Sequence, residues 1–321
     1  MNHSSIEVAN KQGFAYAIGA ALLFSCKPII IKWAYSYGID ALSLMLLRMI
    51  LALPVYLLIG TIIIRKRNIK LPAKHWLSAA FVGLFGYYLA TLLDLKGLEL
   101  ANAQLERIIL YAYPTLVVVL GAIIFKHKVT KQQIGALVLC YAGIICIFLQ
   151  DLSLQGKQVI EGSLLILLSA LSYAIYMLFS KKHIDRLGSL LFTCISMTSA
   201  TFATIIHTSI ALSYGELNPN EWVLSNELMA IVLLLTFAAT IVPSFMISEA
   251  VSRIGAANAA LTGTVGPIMT SIMAVALLGE IFTLYHGIGM VLVILGVSRL
   301  KPKTIPAQKQ PEKKQTAEGS Q

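Results

Sequence analysis

The sequence predicts an all-α polytopic membrane protein of ten transmembrane helices, arranged as two inverted five-helix repeats. Three observations carry this. First, 57% of the 321 residues are hydrophobic and only 12% are charged, where a soluble chain has roughly 25% charged. The mean hydropathy of +0.78 leaves too little polar surface to coat a water-soluble globule. Second, apolar runs near 20 residues recur from end to end, and about 17–25 residues cross the roughly 30 Å of hydrocarbon. Third, the two halves resemble each other at a nearly constant offset. A cytosolic enzyme, a disulfide-rich secreted domain and a disordered chain are thereby excluded.

The expected spans are about 13–35, 41–60, 76–94, 101–125, 133–150, 161–180, 189–211, 227–249, 255–278 and 284–300. The first follows a polar stretch, 1–12, and no small-residue cleavage site follows it, so it reads as a span and not a signal peptide. The seventh is rich in Ser and Thr, whose hydroxyls hydrogen-bond within the helix or to its neighbours. Residues 1–12 form the N-terminal segment, 13–150 and 151–300 the two five-helix units, and 301–321 a basic tail expected to be disordered. Cys26, Cys140, Cys146 and Cys194 all fall inside apolar runs and read as small core hydrophobes.

Charge sets the orientation. With a cytoplasmic N-terminus, 19 of the 25 basic residues fall on inner segments, as the positive-inside rule requires. The outer segments then carry most of the acids, among them Asp40, Asp94, Glu99, Asp151 and Glu280. Both termini are expected in the cytoplasm. The net charge of +10 belongs to these inner loops, and nucleic acid is not an expected partner.

Residues 114–146 and 267–299 align at an offset of 153, pairing Pro114 with Pro267, Thr130 with Thr283 and Gly143 with Gly296. At an offset of 149, Gly13 pairs with Gly162. Five spans per unit turn the second unit upside down relative to the first. Inverted repeats of this kind enclose a midplane site in secondary transporters.

The run from Asp94, DLKGLELANAQLERIILYAYPTLVVVLGAIIF, resembles the fourth-span signature of the drug/metabolite transporter superfamily, EamA family. GAANAALTGTVGPIMTSIMAVALLGE in the second half and LRMILALP around Arg48 resemble it too, and the similarity runs from about 14 to 300. One departure stands out: the first unit ends Phe125-Lys126-His127, where the family often has Gly-Glu. The resemblance implies ten helices, inverted repeats, a bacterial inner-membrane location and transport of small metabolites. It names no substrate.

Charges inside lipid are costly and need a reason. Lys27, Arg48, Glu106 and Arg107 lie roughly 8–12 Å inside their spans at 1.5 Å per residue. Lys27 is either a substrate contact or a structural charge satisfied by Glu106 or by carbonyls freed at Pro28. Arg48 reads as a brace between helices. Arg107 is a candidate substrate contact, and Glu106 a candidate proton-coupling group, with a permanent Glu106–arginine bridge as the alternative. Tyr87, Tyr88, Tyr111, Tyr113, Tyr173 and Tyr176 are candidate cavity walls or packing. Pro28, Pro114 and Pro267 are candidate helix breaks. The surplus of positive charge favours a solute bearing a carboxylate, including an amino acid. The histidines show no ligand spacing, so neither metal nor cofactor is expected.

The leading reading is a secondary transporter working by alternating access, with the lipid bilayer and a small solute as partners; a homodimer is left open. A membrane-embedded lipid-modifying enzyme and a receptor or scaffold are the alternatives. The first lacks a clustered nucleophile and base, and the second has no need of buried charges.

Overall fold

The computed structural model describes residues 3–69, 71–126, 129–217, 225–263 and 265–299. These residues are helical with short connections. The helices are α1 (His3–Tyr35), α2 (Ala41–Arg67) and α3, which comprises Ala73–Gly83, a π-helical stretch Leu84–Leu89 and Ala90–Leu100. Next come α4 (Ala103–Leu110), α5 (Tyr113–Ile124), α6 (Lys131–Gln155), α7 (Gln158–Leu187) and α8 (Ser189–Ser213). The last are α9, comprising Asn226–Thr236, a π-helical stretch Phe237–Ile241 and Val242–Thr262, then α10 (Val265–Leu278) and α11 (Leu284–Ser298). Eight stretches, from Lys11–Tyr35 to Asn226–Gly255, are long and apolar enough to cross a membrane. Two shorter apolar helices, Gly266–Leu278 and Leu284–Ser298, follow them.

Local chemistry sets the helix starts. The Asp40 carboxylate accepts from Leu42 and Ser43 N–H at 2.9 Å each, and Asn102 accepts from Leu105 N–H at 2.7 Å. Thr130 with Gln133, and Thr283 with His286, form reciprocal capping boxes. These two boxes lie 153 residues apart. So do the starts of the two π-helical stretches, Leu84 and Phe237, and the left-handed turn residues Lys126 (φ 54°) and Gly279 (φ 66°). Pro243 follows the second π-helical stretch and cannot donate to the helix ladder.

Large apolar side chains stay exposed all round the bundle, Leu77, Val138 and Ile206 among them. In a chain this apolar, those faces meet lipid. The main core lies between α1, α2, α3, α7, α8 and α9. Some hydroxyls of α8 are satisfied inside the helix: Thr201 and Thr204 donate to carbonyls four residues back at 2.9 and 2.8 Å. Others reach neighbours, as Thr193 does to Ser248, while those of Ser196 and Thr208 have no partner among the described residues. All four cysteines are free; Cys140 and Cys194 are buried, and Cys26 and Cys146 are half-buried. Helices α6 and α11 touch backbone to backbone. A Cβ on Gly143 would lie 2.5 Å from the Gly289 carbonyl oxygen, and one on Gly289 would lie 2.6 Å from that of Gly143. Gly143→Leu should therefore force the two helices apart and lower the yield of monodisperse protein in detergent by severalfold, while Gly135→Leu, where the same atom meets open space, should not.

The expected boundaries needed correction in four places. Helix α1 already begins at His3, so the polar start continues the first span. It also runs unbroken through Pro28, so Pro28 is not a helix break. The third span continues to Leu100, which carries Asp94 into the bundle. The eighth and ninth spans divide at Gly255 (φ 80°, ψ 161°). Near the other two prolines, α4 ends at Leu110 and Pro114 lies in the first turn of α5, while Pro267 lies in the first turn of α10. The tail 301–321 and His127 lie outside the described residues.

Candidate substrate cavity

Helices α1, α2, α3, α4, α5, α7, α8 and α9 enclose a central cavity of about 150 Å³ open to the centres of water molecules. That is space for on the order of ten waters, the scale of a small metabolite. Lys27 and Arg107 line it with Tyr87, Tyr111, Tyr113 and Tyr173, so six of the candidate residues meet there.

The aromatic wall is contiguous. Tyr113 stands edge-on to Tyr173 with ring centroids 5.2 Å apart. Tyr87 stands edge-on to Tyr176 at 5.2 Å, and the Tyr176 hydroxyl donates to that of Tyr87 at 3.3 Å. Tyr176 itself packs behind the wall, 2% exposed. Tyr88 points elsewhere, its hydroxyl 3.1 Å from His207 Nδ1. Adjacent helix residues diverge by about 100°, so α3 presents Tyr87 to the cavity and turns Tyr88 away.

The charges are arranged differently from the expectation. Lys27 pairs with Asp94 and not with Glu106. Asp94 is 1% exposed and lines the cavity. Only one of its oxygens is engaged, and Oδ1 has no hydrogen-bond partner. The sequence places Asp94 on an outer segment, next to the charges of Lys96 and Glu99; its place at the head of the DLKGLELANAQLER signature is the signal that points inward. Arg48, expected as a brace, is 2% exposed and also reaches the cavity wall. Arg107 donates to the Ala21 carbonyl at 3.5 Å, while its buried Nε has no partner. Its guanidinium lies against Gly266, where a Cβ would approach to 2.5 Å, so α10 leaves room for it. Glu106 is fully buried beside the cavity; neither of its oxygens accepts a hydrogen bond, and its charged neighbours are Asp94, Lys27 and Arg107.

Two further polar contacts lie outside the cavity and escaped the sequence reading. Asp151, expected on an outer segment, and His286 are buried together at 3.2 Å between α6 and α11. His286 Nδ1 accepts from the Thr283 N–H at 3.2 Å, which leaves Nε2 to donate to Asp151. Glu280 accepts from the N–H groups of Ala103 and Gln104. Among the described residues, no group of three or more His, Cys, Asp or Glu is gathered as a metal site would need.

Comparison with known proteins decides the family. The profile of the EamA-like transporter family matches the chain twice, over residues 11–149 and 160–300. The chain belongs to this family. Its relatives carry transporter names: Uncharacterized transporter YcbK of Bacillus subtilis (strain 168) is 29% identical over 91% of this chain and 94% of its own length. Uncharacterized transporter YyaM of the same organism is 23% identical over 77% and 79%, and YcxC, likewise named an uncharacterized transporter, 31% over 63% and 65%. A solved crystal structure shares the fold, with a TM-score of 0.61 at 16% identity, covering 90% of this chain and 96% of the other. This EamA-family chain is thus a multi-pass membrane protein of the drug/metabolite transporter type.

Proposed function

We propose that this EamA-family protein is a secondary active transporter that moves a small carboxylate-bearing metabolite, an amino acid among the candidates, by alternating access. The observation that carries the proposal is Arg107: a guanidinium at the cavity wall with its Nε unpaired. Buried donors without partners are costly, and a guanidinium fork fits a carboxylate with two parallel hydrogen bonds. Lys27 is already neutralised by Asp94; Arg48 also has an unpaired Nε but is only 2% exposed, so half-buried Arg107 is the anchor and Lys27 its neighbour. The cavity lining holds Lys27, Arg48 and Arg107 against Asp94, a surplus of two positive charges while Glu106 behind it carries a proton and of one when it does not. Tyr113, Tyr173 and Tyr87 supply an apolar wall with polar tips.

Alternating access here means two inverted five-helix halves rocking about the cavity. The elements matched at an offset of 153 and the double family match support that architecture; the charge asymmetry of the loops supports ten spans with both termini on the cytoplasmic side of the inner membrane. Thermal unfolding of the purified protein tests the substrate class. A bound carboxylate at a hundredfold excess over its Kd should stabilise by about 2.7 kcal/mol, and its amide should stabilise far less. Equal stabilisation by acid and amide would overturn the carboxylate reading.

Glu106 is proposed as the proton-coupling group. It is buried without a hydrogen-bond donor, and Lys27, the cation expected to bridge it, is held by Asp94 instead. An acid so placed is most readily accommodated by carrying a proton. Glu106→Gln in proteoliposomes should keep substrate exchange while transport loses its dependence on a pH gradient. A well-folded variant with unchanged pH dependence would remove Glu106 from the mechanism.

A further inference from the structure

Glu280 lies just beyond α10 and grips the start of α4 with both oxygens. Oε1 accepts from the Ala103 N–H at 2.7 Å and Oε2 from the Gln104 N–H at 3.2 Å. The Gln104 side-chain amide donates back to the Ile281 carbonyl at 3.4 Å. The two helix ends are therefore tied from both directions, at a helix N-terminus that favours negative charge. Glu280 is only half-buried, so water can replace these bonds when they open. One turn further along α4 stands Arg107 at the cavity wall.

The opposite end of the bundle differs. The turn at Lys126 matches the turn at Gly279, but the next residue in the sequence is His127, which supplies no carboxylate. The position matching Asn102 is Gly255, where a Cβ would meet nothing within 4 Å. The cavity lining leads the same way: along α1 it runs from Lys27 back to Ala17 and includes Ala259 and Gly263. Ten residues of α1 span roughly 15 Å. The cavity thus extends toward the Gly255 end and away from Glu280.

We propose that Glu280 is a latch: its carboxylate on the N–H groups of Ala103 and Gln104 keeps the cavity closed at that end, and this conformer is the one that opens toward Gly255. The proposal rests on the alternating-access reading above, but its test needs no substrate. The four cysteines are replaced with alanine and Thr91, which lines the cavity, with cysteine. Sealed vesicles of both orientations are then treated with a membrane-impermeant maleimide. The parent should label mainly from the face bearing Arg253. Glu280→Gln, which keeps one acceptor oxygen, should raise labelling from the Glu280 face about threefold, and Glu280→Ala about tenfold. Unchanged labelling in both variants, equal labelling of the parent from both faces, or an equal rise from both faces in the variants would overturn the latch. If Glu280→Ala folds poorly by size exclusion, the milder Glu280→Gln carries the test. A failure to bind carboxylates would bear on the proposed substrate and leave this measurement standing.

Discussion

Arg107→Gln should abolish most of the binding of a carboxylate solute while leaving the helices in place. A hydrogen bond to a charged group contributes about 1.5–3 kcal/mol, so losing the fork should weaken binding by roughly 10- to 150-fold. Arg107→Lys keeps the charge but not the planar pair of donors, and should fall between the two. The shape of the site makes the comparison clean, because Gly266 leaves space for the guanidinium and a shorter side chain meets no new clash there. Isothermal titration with a carboxylate and its amide reads the effect. If Arg107→Gln folds and binds the acid as tightly as the parent, Arg107 is a structural charge and the substrate class must be argued afresh.

Asp94→Asn should be the most destabilising single change in the cavity. It leaves the Lys27 ammonium, 15% exposed in its side chain, facing a neutral partner. Breaking a buried pair from one side costs about 3–5 kcal/mol, whereas replacing both partners with apolar groups of similar size is close to neutral. The double variant Lys27→Met with Asp94→Leu should therefore recover most of the stability that Asp94→Asn loses, read by thermal unfolding in detergent. A double variant as unstable as the single would mean that Asp94 acts through Arg48 or Glu106 instead. Lys27→Met alone strands Asp94, so its effect on solute binding must be read beside that of the double variant.

The parts of the fold that follow from one-dimensional pattern were legible in the sequence. Apolar runs located the helices, and the offset of 153 paired Thr130 with Thr283, which the structure shows as matching helix caps. Lys27 and Arg107 stood out because a charge in an apolar run is conspicuous. What the sequence concealed depends on helical phase or on contacts between distant helices. Tyr87 and Tyr88 are equivalent as letters, and only the rotation of α3 separates them. Asp94 resembled a loop residue because its neighbours Lys96 and Glu99 are charged, and the helix continues regardless. The Asp151–His286 contact joins residues 135 apart, and no local pattern announces it. Pro28 misled in the other direction, since a helix with packed neighbours accommodates a proline without ending.

The two π-helical stretches have a mechanical consequence. Each sits beside the cavity, Leu84–Leu89 ahead of Asp94 and Phe237–Ile241 among the lining residues of α9. A wide turn holds one more residue than an α-turn, and its backbone carbonyls are open to outside donors. The Ser172 hydroxyl of α7 donates to the Phe85 carbonyl at 2.7 Å, and within α9 the Thr240 hydroxyl donates to the Leu235 carbonyl five residues back at 3.0 Å. Such a turn can migrate along a helix by exchanging hydrogen bonds a few at a time, and each step rotates the helix beyond it by about 100°. The two stretches begin 153 residues apart, at corresponding places in α3 and α9. Tyr87 lies inside the first, so a one-residue slip there would exchange the face that carries Tyr87 for the one that carries Tyr88.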